Sequence, residues 1–589
     1  MKKLFALLLA ALCLGTAAFA VPAYRGLIPY TQPDGSVIQI RLHGDEFFHW
    51  TTDASGHVLE LGADGYYRPA SEVRLASRRN AARIRRASVN ARRSAPARAG
   101  VASVQKHFLV ILVEFSDVHF ESSTANADFS ALLNQTGYNV NGGTGSARDY
   151  YLDNSDGTFV PIFDVYGPVR LTNNQAYYGG NDSGGDDLRP QNAVEEGCEG
   201  LGGEIDFTRY DNDGDGKVDL VFMYYAGKGE ADGGGKDCIW PHQWSLTSGN
   251  IDLTLDGKKV DSYACTNELI GSGSLKDKMC GIGTACHEFG HAMGLPDFYD
   301  TDYDEYNGEA GGLYDYSLMC GGSYNNAGRT PPYLNIEERI MLGWQEPSVI
   351  REFTHSGTYT LASVSGNVAY KTLTDQDGEY FVYECRSKTG WDRYIPEAGL
   401  IVYHVDKSSR QVAIRGNSGN INVSAESLWS NWGKYNSINE NGSHPCFYVV
   451  PAGNHGSLYY EGSKWAFTGA SGRNSFTATS WNGVESVVQL SSISYAGNQV
   501  SLFASVPSDV LNYNVIANPG RGVYAAGSDF ALTLIESEAQ PVSSVAWFFD
   551  DEPVSGPSVR LTAGRHVVEA HLTLGSGETK ILELTLNVQ

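Results

Sequence analysis

Apolar and polar positions change rhythm several times along the chain, and each change predicts a different kind of element. From Val21 to about residue 73 the apolar residues fall in short alternating runs, broken by Pro33-Asp34-Gly35 and Ala63-Asp64-Gly65. A period of two punctuated by Asp-Gly turns predicts half-buried strands joined tightly. Two later runs, Phe108 to Phe115 and Val218 to Tyr225, are apolar almost throughout. Such runs suit strands covered on both faces. Beyond residue 350 short strand-like runs return, among them Val500-Ser501-Leu502-Phe503, Val545 to Phe549, His566 to Ala570 and Ile581 to Leu584. Between these two regimes, histidines four residues apart at His287 and His291 share one face of a predicted helix.

At 589 residues the chain exceeds what one hydrophobic core usually serves, so several domains are expected. Lys2-Lys3, the apolar run Leu4 to Leu14 and the small residues of Ala18-Phe19-Ala20 read as a signal peptide cleaved after Ala20. No later stretch is long and apolar enough to span a bilayer, so a secreted protein, extracellular or at the cell surface, is expected. Removing Cys13 from the nine cysteines leaves eight, an even number that suits disulfides in an oxidising compartment. Cys385 and Cys446 stand alone in their region and are expected to pair; the partners of the other six are left open.

Residues 74 to 98 carry nine arginines and no acidic residue. A run of this kind repels itself and forms no core. It reads as an arm for nucleic acid or an anionic membrane, as a solvated helix face, or as a protease-sensitive linker. Its position before the first buried strand favours the linker, with the mature protein starting near Val101 to Gln105. Residues 1 to 104 sum to about plus 7, against minus 25 for the whole chain. The remainder is therefore strongly acidic, which disfavours nucleic acid as a partner.

The stretch from His287 to Asp300 contains H-E-x-x-H-x-x-G-x-x-D. His287 and His291 can present ring nitrogens to one metal while Glu288 projects beside it. Gly294 permits a sharp turn that returns Asp297 as third ligand. Three protein ligands leave a tetrahedral position open for water, which a catalytic zinc needs and a structural zinc does not. Glu288 is then the expected general base and later the proton donor to the leaving amine. A second constellation, Asp211, Asp213, Asp215, the Lys217 carbonyl and Asp219, gathers hard oxygen ligands around a turn and suits calcium. Asp300, Asp302 and Asp304 form a further, poorer candidate.

Several of these segments together resemble the immune inhibitor A family of secreted zinc metallopeptidases. The resemblance is carried by the zinc motif with aspartate as third ligand, the acidic loop Tyr210 to Asp219, Ala226-Gly227 and Trp240-Pro241-His242. Downstream it continues in Gly343-Trp344, Glu379-Tyr380-Phe381, Gly390-Trp391-Asp392 and Gly399 to Asp406. Tyr316 to Gly322 looks like the Met-turn of metzincins, which would put Met319 beneath the metal as an apolar floor. Tyr324, just after it, is the oxyanion candidate.

These readings imply a multidomain chain: an α/β zincin-like (metzincin) catalytic domain followed by a β-rich domain and an Ig-like β-sandwich. The expected boundaries are 1–20 signal peptide, 21–100 pro-segment with Arg-rich linker, 101–350 zinc metallopeptidase domain, 351–506 β-rich domain and 507–589 Ig-like sandwich. The expected activity is zinc-dependent endoproteolysis of extracellular proteins by a monomer, with structural calcium. Substrate is expected to add itself as a strand along the sheet edge. Asp45 or Asp53, or one of His43, His49 and His57, is the expected group by which the pro-segment blocks the metal. The competing reading is a secreted adhesion or glycan-binding protein with an inactive zinc site; an intact Glu288 argues against it.

Overall fold

A six-stranded mixed sheet organises the region after residue 105. Its strands are β1 (Phe19–Ala20), β2 (Gln105–Glu114), β3 (Val160–Arg170), β4 (Val221–Lys228), β5 (His242–Ser245) and β6 (Ser262–Leu269), in the order β1-β5-β6-β4-β2-β3. Strands β6, β4, β2 and β3 run parallel, and β5 closes them antiparallel. The computed structural model describes residues 19–70, 75, 78–79, 82, 105–182, 185–303, 310–408, 413–416, 419–422, 436–453, 464–507, 514–518, 526–527, 529–535 and 541–588. The signal-peptide run, most of the arginine run, the expected start at Val101 and Asp304 lie outside the described residues.

Strand β2 is apolar throughout because both its faces are covered. Phe108, Val110 and Leu112 enter one core cluster, and Leu109, Ile111 and Val113 enter another. The first cluster contains residues of the helices α1 (Ala147–Asn154) and α3 (Gly283–Met293), the second those of α2 (Pro190–Leu201). The other expected buried strand is divided. Lys217–Val218 pairs with Lys259–Val260 in a small separate sheet, and only Val221–Lys228 joins the main one. The break falls where Asp219 donates its N–H to the Tyr210 carbonyl and so closes the acidic loop.

Residues 27 to 69 form a five-stranded sheet in which each strand pairs with the next, as the alternating pattern predicts. From 350 to 505, a five-stranded and a four-stranded sheet share a core that includes Phe381, Leu400, Leu490 and Leu502. The opposite face of the five-stranded sheet, with Val382, Ile401, Tyr403 and Val405, joins the cluster that holds Phe289 and Met319. The metal-motif region and the β-rich region therefore share one core. Residues after 514 build two further sheets over Trp547, Leu561, Val568 and Leu584.

The expected Cys385–Cys446 bridge is not formed, and the eight cysteines from Cys198 onward are all thiols. Cys385 lies in the core between the two β sheets, near the Ser387 hydroxyl, whereas Cys446 belongs to the other core and donates to the His444 carbonyl. Being the lone pair in a region did not make them neighbours. Among the described residues no helix is long and apolar enough to cross a membrane.

Candidate metal centre

Helix α3 carries His287, Glu288 and His291 on a buried turn, and Gly294 ends it with φ +110°, the left-handed conformation the motif calls for. The Gly294 N–H bonds the carbonyls of Gly290 and His291, and the reversed chain brings Asp297 back beneath the histidines. His287 Nε2 and His291 Nε2 are 3.0 Å apart, and Asp297 Oδ1 lies 3.2 and 3.5 Å from them. The second ring nitrogens point outward: His287 Nδ1 is 2.8 Å from the Leu318 carbonyl and His291 Nδ1 2.8 Å from that of Leu295. Holding Nδ1 on a carbonyl fixes the tautomer that leaves Nε2 free as a ligand.

All three groups are buried, and Asp297 Oδ1 accepts no hydrogen bond. A buried carboxylate oxygen is rarely left so without a partner outside the protein's own inventory. Burial lowers the His291 pKa to about 4, so its imidazole is neutral, the form a metal binds. Burial raises the Asp297 pKa, but the two histidines outweigh it and hold the carboxyl below its ordinary value. Two imidazoles and one carboxylate on a closed apolar floor fit zinc.

The expected floor residue is Met319. It is fully buried, and its N–H is held by the Ser317 hydroxyl at 3.0 Å. A Cβ added at Gly290, inside the motif, would stand 2.7 Å from Met319 Sδ. The unnamed position of H-E-x-x-H is thus crowded by a residue far away in sequence.

Glu288 is fully buried; burial, then the nearby Asp297 and Glu46, raises its pKa well above the ordinary carboxylate range. Its Oε1 accepts the main-chain N–H of Val21 at 2.9 Å, and its Oε2 has no hydrogen-bond partner. The N-terminal segment passes through the cleft. β1 pairs antiparallel with β5, Phe19 opposite Gln243 and Ala20 opposite His242. Val21 and Ala23 are buried against Ala231 and Trp240, and Trp240 Nε1 donates to the Val21 carbonyl at 3.1 Å. The Tyr324 hydroxyl donates to the Pro22 carbonyl at 2.8 Å. Tyr324 therefore lies in the cleft, engaged with a main-chain carbonyl one residue beyond the atom that meets Glu288.

The five side chains expected to block the metal have partners elsewhere. Asp45 caps the Phe47 and Phe48 N–H groups, Asp53 binds His57, His43 bonds Thr52 and stacks on Trp50, and His49 stacks on Trp240. The main chain at Val21 reaches the centre instead. Sequence reasoning also missed Asn436, whose amide brackets Asp297: Oδ1 accepts the Asp297 N–H at 2.7 Å, and Nδ2 donates to Asp297 Oδ2 at 2.8 Å. Its position 139 residues downstream carries no local pattern that could have revealed it.

The acidic loop brings Asp211, Asp213 and Asp215 together, with ligand atoms within 4.8 Å of one another. Their oxygens also serve the turn: Asp213 accepts the Asp215 N–H, Asp215 that of Lys217, and Asp211 that of Gly216. Lys258 Nζ stands 2.6 Å from Asp211 Oδ2, and this ammonium lowers the Asp211 pKa. The Asp219 carboxylate is not part of this cluster and accepts from Asn212 Nδ2 at 2.8 Å. Asp300 and Asp302 are buried side by side, and burial followed by the Asp302 charge raises the Asp300 pKa well above the ordinary range.

Residues 98–333 match the family model described as the immune inhibitor A peptidase M6 catalytic domain. Over 262 residues, 38% of this chain and 28% of that protein, the chain is 27% identical to the pre-pro-metalloprotease PrtV of Vibrio cholerae serotype O1. Over 208 residues, 31% of this chain and 30% of that protein, it is 28% identical to immune inhibitor A of Bacillus thuringiensis subsp. alesti. The chain thus matches less than a third of the length of these curated relatives. Among solved structures, wild-type OgpA from Akkermansia muciniphila aligns with 83% of this chain and 95% of that chain at 9% identity and a TM-score of 0.23, too low to carry an argument. Over its residues 98–333, the chain is thus similar to the immune inhibitor A peptidase M6 catalytic domain.

Proposed function

We propose that the chain is an exported zinc-dependent endopeptidase. The observation that carries this reading is the convergence of His287 Nε2, His291 Nε2 and Asp297 Oδ1 beside Glu288, whose Oε1 accepts a main-chain N–H. His287, His291 and Asp297 would hold the metal, with Asn436 orienting Asp297. Bound there, zinc would make a water acidic and polarise a peptide carbonyl. Glu288 takes the proton of the attacking water and returns it to the departing amine. The Val21 N–H at 2.9 Å from Glu288 supports this role, since a leaving amine would need the same reach. Tyr324, a donor to a main-chain carbonyl here, is proposed to serve the oxyanion once the segment has left.

Residues 21 to 100 are read as a pro-segment that keeps the cleft filled and is removed by cleavage at or after the arginine run. The signal-peptide reading places the enzyme outside the cell, where it would act on proteins or peptides as a monomer. Calcium is proposed for the Asp211, Asp213 and Asp215 loop, where it would have to displace the Lys258 ammonium. Residues 507–589 are read as an Ig-like sandwich that spaces or docks the enzyme. The test is casein hydrolysis by the secreted, processed protein, with metal content measured alongside and Glu288→Gln as control. Zinc-dependent cleavage lost in the variant is expected; cleavage that survives in it overturns the mechanism.

A further inference from the structure

Behind the part of the cleft that holds Val21 lie two carboxylates that the proposed mechanism does not use. Glu230 is only 8% exposed. Its Oε1 accepts from Asn181 Nδ2 at 2.8 Å, while its Oε2 is buried with no hydrogen-bond partner. Asp187 Oδ2 accepts the Trp240 N–H at 2.8 Å, and Asp187 Oδ1 is likewise buried without a partner. Burial raises both pKa values, that of Glu230 to about 8, and the Glu230 charge adds to the shift at Asp187. Two carboxyl groups close enough to feel each other's charge, each with an orphaned buried oxygen, are costly unless a cation comes to them.

In the full chain the place facing them is taken by the N-terminal segment. The His49 ring stacks on Trp240 with centroids 5.0 Å apart, and its Nε2 is 3.5 Å from Glu230 Oε1 and 3.5 Å from Asn181 Nδ2. Arg78 bonds the His49 carbonyl, and its charge also pulls at Glu230. Trp240 ties this pocket to the reacting centre, since its Nε1 holds the carbonyl of Val21, the residue whose N–H meets Glu288. An indole face beside paired carboxylates suits a long cationic side chain, which stacks along the ring and ends in donors. A metal ion suits it less: His49, Glu230 and Asp187 are not among the described clusters that bring three such ligand atoms within 4.8 Å of one another.

We propose that Asp187, Glu230 and the face of Trp240 form an acidic pocket that receives a lysine or arginine side chain of the substrate on the leaving-amine side of the scissile bond, and that His49 holds this place until the N-terminal segment is removed. The inference rests on the endopeptidase reading and adds a substrate class to it. The test digests a library of proteome-derived peptides with the processed enzyme secreted from the full chain, and reads cleavage sites by mass spectrometry. Lysine and arginine are expected to be enriched at one of the first three positions after the cut. Glu230→Gln and Asp187→Asn should each lower the ratio of basic to non-basic residues there about tenfold, the size of a lost hydrogen bond to a charged group. A wild-type profile without basic enrichment overturns the proposal, as does an enrichment that both variants retain. The wild-type profile decides even if a variant fails to fold. Failure of the endopeptidase reading looks different: no peptide is cut beyond the Glu288→Gln background.

Discussion

The metal cleft and the acidic loop are both clusters of ligand-type residues, yet they satisfy their charges in opposite ways. In the cleft, every group around the three ligand atoms points them inward. Carbonyls hold the outer histidine nitrogens, Asn436 brackets Asp297, and Asp297 Oδ1 is left over. In the loop, the carboxylates are largely occupied by their own turn and Lys258 pairs with Asp211 Oδ2, so that Asp211 Oδ1 is the one buried loop oxygen left over among the described residues. Proximity of acidic groups is therefore a weak sign of a metal site; what matters is whether neighbours consume the ligand atoms or aim them.

The largest effect expected from perturbing this contrast is at the base. Glu288→Gln should lower casein hydrolysis by about 10²- to 10⁴-fold, the usual worth of a positioned proton carrier, with zinc content unchanged. Next, Asn436→Ala should weaken zinc binding by about 10- to 100-fold in a chelator competition, as removal of an outer partner typically does, whereas Asp213→Asn in the loop should leave it unchanged. Equal effects of the two would erase the distinction between the regions. Gly290→Ala should cost about 1–3 kcal/mol in denaturant unfolding, because the added methyl meets Met319 Sδ.

The two regions should also differ in their response to pH. Beside the cleft, Glu230 has a folded pKa of about 8 against 4.5 ordinarily, so it favours the folded state when protonated. That contribution is full below the ordinary value and lost as pH rises through the folded one. Glu230→Gln should therefore flatten the fall of the full chain's Tm between about pH 5 and 8. Asp211 is shifted the other way, so its contribution is present above its ordinary value and lost as pH falls. The smallest effect belongs to calcium. Its addition should raise Tm by at most a few degrees in the wild type and by more in Lys258→Met, where no ammonium competes. An equal shift in both proteins would place calcium elsewhere.

Local patterns carried much of this far. Alternation gave the five strands between Leu27 and Pro69, and the continuous run gave β2, because period and two-sided burial are properties of a few adjacent residues. The motif gave His287, Glu288, His291 and Asp297 because helical spacing and one glycine turn set their relative positions over eleven residues. Reasoning from residue type alone did less well: the lone cysteine pair is not bridged, the Asp219 carboxylate is not in the cluster of Asp211, Asp213 and Asp215, and side chains expected to block the metal serve turns and stacks.

By itself, then, the sequence determined the strand and helix rhythm and the candidate ligands and base. Only the tertiary structure decided that the Val21 N–H meets Glu288, that Asn436 brackets Asp297, that Met319 Sδ crowds Gly290, and that Asp187 accepts the Trp240 N–H. Those contacts join residues 267, 139 or 53 positions apart. Backbone spacing constrains only neighbours along the chain, whereas contacts at that range are set by how whole sheets and helices pack.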